Sequence, residues 1–239
     1  MDSDAIIEVN RLSKAYGLLP VLRGVDFSID RGEWVLLFGA NGSGKSTLLR
    51  LLSGLSKPSA GRIRIGGWEL PREAMAVRAQ CGLVAHRPLL YENLTAAENL
   101  DFFGKLYGLA ADERAQRGRD LLRQAGLAKS AERIVRTFSR GMKQRLSIAR
   151  ATLHQPEILL LDEPYSGLDQ AACQNLDEML AVAQEAGRTI LLSTHQLSRA
   201  PAAAGRALVL SGGRIAYDGA SDPGNLAELY VEAAGATSL

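Results

Sequence analysis

The 239-residue sequence predicts an α/β fold that carries an inserted all-helical part. Two short apolar runs, at 34–38 and 158–161, have the length and continuity typical of parallel strands covered on both faces. The first run leads into a glycine-rich turn and then a helical stretch, the order expected of a strand–turn–helix unit. Between about 87 and 154 the chain shows helical patterns instead of strand patterns.

Strand patterns dominate the first third of the chain. Residues 6–12 and 21–29 mix apolar and polar side chains as half-buried strands do. The unbroken run at 34–38 predicts a central strand, and the turn after it is followed by a helix at 45–54. Two further strand candidates are short and lie at 62–65 and 82–84.

Three helices are predicted in the middle of the chain. A Thr-x-x-Glu capping box opens a helix over 95–107. Residues 113–126 carry apolar side chains at helical spacing and end in a glycine stop. Ser139 has the position of an N-cap for a helix that extends to 154 and is closed by a proline.

Strands and helices alternate again after the helical block. They are a strand at 158–161, a helix at 170–185, a strand at 189–193, hairpin strands at 207–210 and 214–217, and a final helix at 222–234. A single domain over 1–239 is expected, in which 1–86 and 155–220 form the core and a β-subdomain. Residues 87–154 form a helical subdomain, and 221–239 a C-terminal helix and tail.

Composition narrows the possible functions. The net charge is +2, from 28 basic and 26 acidic residues, whereas nucleic-acid binders usually show a strong basic excess. Cys81 and Cys173 lie far apart and are expected to be reduced thiols. The chain opens on polar, acidic residues, and no apolar run approaches the roughly 18 residues that span a bilayer. We therefore expect a soluble chain whose membrane role, if any, comes through a partner.

The segment 39–46 fits the phosphate-loop pattern G-x-x-x-x-G-K-[ST]. Its glycines let backbone N–H groups surround phosphate oxygens, and the helix beginning near Lys45 adds the positive end of its dipole. Lys45 is expected to contact the β- and γ-phosphates of ATP, and Ser46 to bind Mg²⁺. The predicted phosphate-binding residues are Gly39, Ala40, Asn41, Gly42, Ser43, Gly44, Lys45, Ser46 and Thr47.

Two adjacent carboxylates, Asp162 and Glu163, end the apolar run at 158–161. Sheets of parallel strands place their ligands at the carboxyl ends of the strands, so both side chains are expected near the phosphates. Asp162 would hold Mg²⁺ through water. Glu163 would polarise the attacking water as general base.

The order of these motifs resembles the ABC-transporter ATPase family from about residue 8 to residue 218. The further motifs that carry the resemblance are the signature Ser139, Arg140, Gly141 and Met142, the D-loop from Ser166 to Asp169, the switch histidine His195 after Thr194, and Tyr16, which matches the aromatic that stacks on adenine. Each is common alone, and their order makes the resemblance specific.

This resemblance implies a P-loop NTPase fold of the ABC ATPase type, with a RecA-like core, an antiparallel β-subdomain and the helical insertion. It implies that two copies form a homodimer head to tail. The signature residues 139–142 of one copy then face the γ-phosphate held by the other. Asp169 is also expected to contact the nucleotide. Glu163, His195 and Lys45 are the implied catalytic residues. A pure binding module is disfavoured because Glu163 and His195 are both present.

Two positions depart from the family pattern. His86 stands where the family usually has glutamine, and we expect it to sense Mg²⁺ and the γ-phosphate, as a catalytic and metal-site residue. The alternative is an exposed loop histidine without a ligand. Arg140 stands where most members have glycine, and either attracts the γ-phosphate across the dimer or points to solvent.

Finer similarities suggest the transporter type. The segments 86–100, 137–145 and 162–170 resemble the ATPase subunit of the haem exporter used in cytochrome c maturation. Multidrug and lipid-efflux ATPases share most of these features and remain the alternative. Soluble ABC ATPases of DNA repair and translation usually carry two motif sets, long insertions or a basic surface, and they fit this chain poorly.

Integral-membrane permease subunits are the implied partners, and no nucleic acid is expected. The permease is expected to dock near 86–103, at the cytoplasmic face of the cell membrane. Its apolar anchors would be Leu89, Leu90, Tyr91, Phe102 and Phe103. The alternative is that these side chains form the core of the helical lobe.

Overall fold

Two β-sheets organise residues 4–196 and 203–221, the part of the chain described by this computed structural model. One sheet has four strands, all paired antiparallel, in the order β2-β1-β4-β5. These strands are β1 (Ala5–Tyr16), β2 (Leu19–Asp30), β4 (Ala60–Ile65) and β5 (Trp68–Leu70). The mixed polar and apolar patterns of β1 and β2 fit this sheet, because apolar side chains on one face are buried.

The second sheet has six strands in the order β10-β9-β3-β8-β7-β6. They are β3 (Trp34–Phe38), β6 (Cys81–Val84), β7 (Ile158–Asp162), β8 (Thr189–Thr194), β9 (Arg206–Ser211) and β10 (Arg214–Ala220). Five of them are parallel, and β10 pairs antiparallel with β9 as the predicted hairpin. The carboxyl ends of β3, β7 and β8 therefore meet at one edge of the sheet. The predicted site residues come directly after these strand ends in the sequence.

Six α-helices lie within the described residues. They are α1 (Lys45–Leu52), α2 (Ala74–Gln80), α3 (Ala96–Leu106), α4 (Ala111–Gln124), α5 (Arg140–Thr152) and α6 (Gln170–Glu185). The predicted capping box of α3 is present, since Thr95 and Glu98 exchange hydrogen bonds with each other's backbone. The predicted N-cap Ser139 also accepts a bond from the backbone of Met142.

Three hydrophobic clusters hold these elements together. Along β3, Val35 and Leu37 point into a cluster with α1 and the four-stranded sheet, while Leu36 and Phe38 point into a cluster with α6. The third cluster joins α3, α4 and α5. A separate core for these helices supports a helical subdomain, whose limits at 87 and 154 remain a prediction.

The sequence patterns missed β5 and α2, which have three and seven residues. Elements this short carry too few residues to show a period. The predicted final helix at 222–234 lies outside the described residues. Within 4–196 and 203–221, none of the helices has the length and apolar character that crossing a membrane would need.

Candidate active site

A cavity of about 470 Å³ lies at the edge where β3, β7 and β8 end. Six residues of the predicted phosphate loop line it: Asn41, Gly42, Gly44, Lys45, Ser46 and Thr47. The other predicted residues on its wall come from three separate loops and are His86, Glu163, Ser166 and His195. The fold thus brings together residues that are up to 154 positions apart, from Asn41 to His195.

Glycine is required at two positions of the phosphate loop. A Cβ atom on Gly39 would lie 2.4 Å from the carbonyl oxygen of Leu210, a separation that real side chains do not show. Gly44 has φ 111°, a backbone conformation that other residues rarely adopt, and it precedes the first residue of α1. These constraints shape the loop so that its backbone can surround a phosphate group.

Lys45 is buried at 6% exposure, and its ammonium group has three close oxygens. Nζ donates to the carbonyl oxygens of Gly39 at 2.7 Å and Ala40 at 3.1 Å, and it lies 3.5 Å from Oε1 of Glu163. Burial lowers the pKa of Lys45, while the negative charges of Glu163 and Asp162 act in the opposite direction. The loop carbonyls and Glu163 therefore hold this cation at the cavity wall.

Glu163 is placed by the end of β8. Its backbone has φ 52°, and its N–H donates to both the carbonyl and the hydroxyl oxygen of Ser193, each at 3.2 Å. Its Oε1 lies 2.9 Å from Nδ1 of His195. The Ser193 hydroxyl donates to Oδ1 of the buried Asp162 at 2.8 Å. Sequence reasoning missed Ser193, although its place directly before Thr194 at the end of a buried strand was a usable signal.

Other predicted residues lie away from this cavity wall. Tyr16 is 49% exposed, and Nζ of Lys14 lies 4.9 Å from the centroid of its ring. Ser139, Gly141 and Met142 lie at the N-terminus of α5, where Ser139 caps the helix. Asp169 caps α6 by accepting a bond from the N–H of Ala172 at 2.8 Å. Their roles toward a nucleotide remain predictions.

The two departures from the family pattern have different surroundings. His86 is exposed and lines the cavity, so its position agrees with the predicted role without testing it. Arg140 makes a contact that the sequence did not suggest, since Nη2 donates to the hydroxyl oxygen of Ser166 at 2.9 Å. Arg140 is therefore bonded within its own chain, while the residue remains exposed.

Comparison with known proteins identifies the family of this chain. The family model for ABC transporters matches residues 22–166. The linearmycin resistance ATP-binding protein LnrL of Bacillus subtilis (strain 168) is 36% identical over 80% of this chain and 62% of its own length. The daunorubicin resistance ATP-binding protein DrrA3 of Streptomyces coeruleorubidus is 38% identical over 92% of this chain and 70% of its own length. A Nod factor export ATP-binding protein I of Paraburkholderia xenovorans (strain LB400) is 39% identical over 91% of this chain and 71% of its own length.

Solved structures give the same result. An ATP-binding subunit of an ABC transporter superposes with a TM-score of 0.87 and 37% identity, over 95% of this chain and 98% of that one. A dimeric ATP-binding cassette in a post-hydrolysis state with ADP and phosphate superposes with a TM-score of 0.84 and 27% identity, over 90% of this chain and 99% of that one. The chain belongs to the ABC transporter family and is an ATP-binding subunit with an ABC ATPase fold.

Proposed function

We propose that this chain hydrolyses ATP to power an exporter of small amphipathic or apolar molecules, with two copies acting together beneath a membrane permease. The observation that carries the proposal is the position of Glu163. Its carboxylate lies between Lys45 and His195 in the cavity that the phosphate loop forms. A general base beside a phosphate-binding cation is the arrangement that attack of water on a γ-phosphate needs.

Each of these side chains has a distinct task in hydrolysis. Backbone N–H groups of 39–47 and the ammonium group of Lys45 bind the β- and γ-phosphates and stabilise the charge that develops there. Glu163 accepts a proton from the attacking water. His195 orients the Glu163 carboxylate through Nδ1, because the two groups are 2.9 Å apart. The buried hydroxyl of Ser193 orients Asp162 in the same way.

The donor atoms also suit Mg²⁺. Among the described residues, no group of three or more His, Cys, Asp or Glu side chains is arranged to hold a metal by itself. Mg²⁺ usually takes one or two protein oxygens and completes its shell with phosphates and water. The Ser46 hydroxyl on the cavity wall would bind the ion directly, and the Asp162 carboxylate at the end of β7 would hold it through water. The ion would neutralise charge on the β- and γ-phosphates.

Two copies are needed because the signature residues of one chain lie away from its own cavity wall. Ser139 caps α5, and Gly141 and Met142 lie in its first turn, where the N-terminal N–H groups suit a phosphate. In the homodimer that the resemblance implies, this helix terminus completes the partner's site. The dimeric cassette among the structural relatives supports this arrangement.

The permease would dock on the helical lobe near 86–103. Leu89 and Tyr91 are 41% and 49% exposed, and the Tyr91 ring packs edge-on against Phe102 at 4.8 Å. Leu90 and Phe103 instead pack against the third hydrophobic cluster. Both readings of the five-residue group are thus partly supported, and Leu89, Tyr91 and Phe102 are the anchors we propose. Attachment of this kind would place the chain at the cytoplasmic face of the membrane.

Export of drug-like or lipid-like molecules fits the relatives better than haem export does. Relatives are named for linearmycin resistance, daunorubicin resistance and Nod factor export. Haem export stays as the second candidate, supported only by the sequence similarities at 86–100, 137–145 and 162–170.

Purification from membranes with the partners attached tests the proposal. We expect a permease to copurify and the complex to hydrolyse Mg²⁺-ATP faster when an amphipathic drug or lipid is added. Stimulation by haem alone, or recovery of haem-handling subunits, would replace efflux with haem export.

Leu89→Ser should release the permease and leave the ATPase rate of the isolated chain unchanged. Leu106→Ser, at another exposed leucine, is the matched control.

A further inference from the structure

The Arg140 side chain links the start of the signature helix α5 to the loop that follows Glu163 in the same chain. Its Nη2 donates to the Ser166 hydroxyl oxygen at 2.9 Å, across 26 residues of sequence. Ser166 in turn lines the cavity that contains Glu163. One side chain therefore bridges a helix terminus away from the cavity wall and a residue on that wall.

The loop at 166–167 is shaped to receive this side chain. Gly167 has φ 76°, and a Cβ atom there would lie 2.6 Å from Nε and 2.7 Å from Cδ of Arg140. Any larger residue would displace the guanidinium group. The contact is thus a close packing of the Arg140 side chain on the loop backbone in addition to one hydrogen bond.

A second bond from the same helix face holds the same loop. Gln144, four residues after Arg140, donates from Nε2 to the carbonyl oxygen of Pro164 at 3.0 Å in the protein interior. Residues four apart lie on one face of a helix, so α5 holds the loop at both ends of one turn. Pro164 directly follows Glu163, and the Ser166 N–H donates to the Glu163 carbonyl oxygen at 3.1 Å.

We propose that Arg140 is a positioning residue that acts in its own chain, by holding Ser166 and thereby the loop that carries Glu163. This inference rests on the proposed function and adds to it a link between two sites. In the dimer, the α5 terminus that faces the partner's γ-phosphate would also hold the loop of its own catalytic base. Arrival of the partner's nucleotide would then be communicated to Glu163 through Arg140 and Ser166.

A tandem of two full-length copies joined by a flexible linker tests this inference. One copy carries Glu163→Gln, so that one catalytic base remains. Arg140→Ala is then placed either in the copy with the intact Glu163 or in the copy that carries Glu163→Gln. Single-turnover formation of phosphate is measured in acid-quenched samples, because cleavage of the bond does not depend on reopening of the dimer.

We expect Arg140→Ala to slow hydrolysis roughly three- to tenfold when it shares a copy with the intact Glu163, the cost of one lost hydrogen bond. In the other copy it should change the rate less than about twofold. Arg140→Lys should restore part of the rate, and Ser166→Ala should cause no further loss on top of Arg140→Ala. The KM for ATP should stay unchanged, since Arg140 would not contact the phosphates. Arg136→Ala, at an exposed arginine that lies four residues before Arg140 and outside α5, is the control.

Three outcomes would overturn the inference. Arg140→Ala could slow hydrolysis only when it is placed in the copy with Glu163→Gln, equally in either copy, or in neither. The first of these would show that Arg140 acts on the γ-phosphate held by the other copy. A parent tandem that binds ATP but releases no phosphate would instead overturn the proposed function, and the inference with it. The two failures are therefore distinguishable.

Discussion

Oε1 of Glu163 lies 2.9 Å from Nδ1 of His195, and the same oxygen lies 3.5 Å from Nζ of Lys45. The backbone of Glu163 has φ 52°, a conformation rare for residues with a side chain, and Ser193 holds it there by two hydrogen bonds. Three residues, His195, Lys45 and Ser193, thus determine where the Glu163 carboxylate points.

Glu163→Gln should abolish turnover while leaving ATP binding intact. The amide keeps the shape of the side chain but does not accept the proton of the attacking water, and loss of a general base costs typically 10²–10⁴-fold. The variant should also accumulate as an ATP-bound dimer, measured by size-exclusion chromatography with and without ATP. Glu157→Gln, on an exposed ion pair with Arg31, is the control. Turnover equal to wild type would remove Glu163 from the mechanism.

His195→Ala should lower turnover by roughly 10- to 100-fold, because a hydrogen bond to a charged group is lost. The double variant with Glu163→Gln should be no slower than Glu163→Gln alone, since His195 acts only through that carboxylate. Gln196→Ala serves as the control, because its amide lies 3.3 Å from the other ring nitrogen, Nε2. Additive losses in the double variant would mean that His195 has a separate role.

His86→Ala should reduce turnover several-fold, whereas His86→Gln should retain it, because glutamine is the residue the family usually has there. The His86 side chain is exposed on the wall of the cavity, and it is the predicted metal contact from the loop that follows β6. Steady-state ATP hydrolysis at varied Mg²⁺ measures the effect, with Arg87→Ala as the neighbouring control. Wild-type kinetics in His86→Ala would show that this is a loop histidine without a ligand.

Local patterns predicted most of the fold. The strand Trp34–Phe38 was placed correctly to the residue because it is an unbroken apolar run. The helix Gln170–Glu185 was placed as well because an N-cap residue precedes it and its apolar residues recur at helical spacing. The cavity wall also followed from the motifs. The partner of Arg140 did not, since Ser166 is 26 residues away and only the packing of α5 against the loop brings them together.

His154 lies in the helical lobe, two residues after the end of α5. Its ring stacks on Tyr107 with centroids 3.7 Å apart and an interplanar angle of 8°. Burial lowers the pKa of His154 from 6.5 to about 4, and the positive charges of Arg150, Arg188 and Arg117 act in the same direction. The neutral ring is therefore the form that the fold favours.

Stability should consequently fall as the pH drops from about 6.5 toward 4. Above this window His154 is neutral in both states, but within it the unfolded chain takes up a proton that the folded chain does not. His154→Phe keeps an aromatic ring on Tyr107 and removes the titration. We therefore compare the free energy of unfolding of His154→Phe with that of wild type at each pH. This difference should favour the variant by about 2 kcal/mol more at pH 5 than at pH 7.5. Urea unfolding at both pH values measures this difference, with the exposed His86→Gln as control, and a difference independent of pH would contradict the assignment.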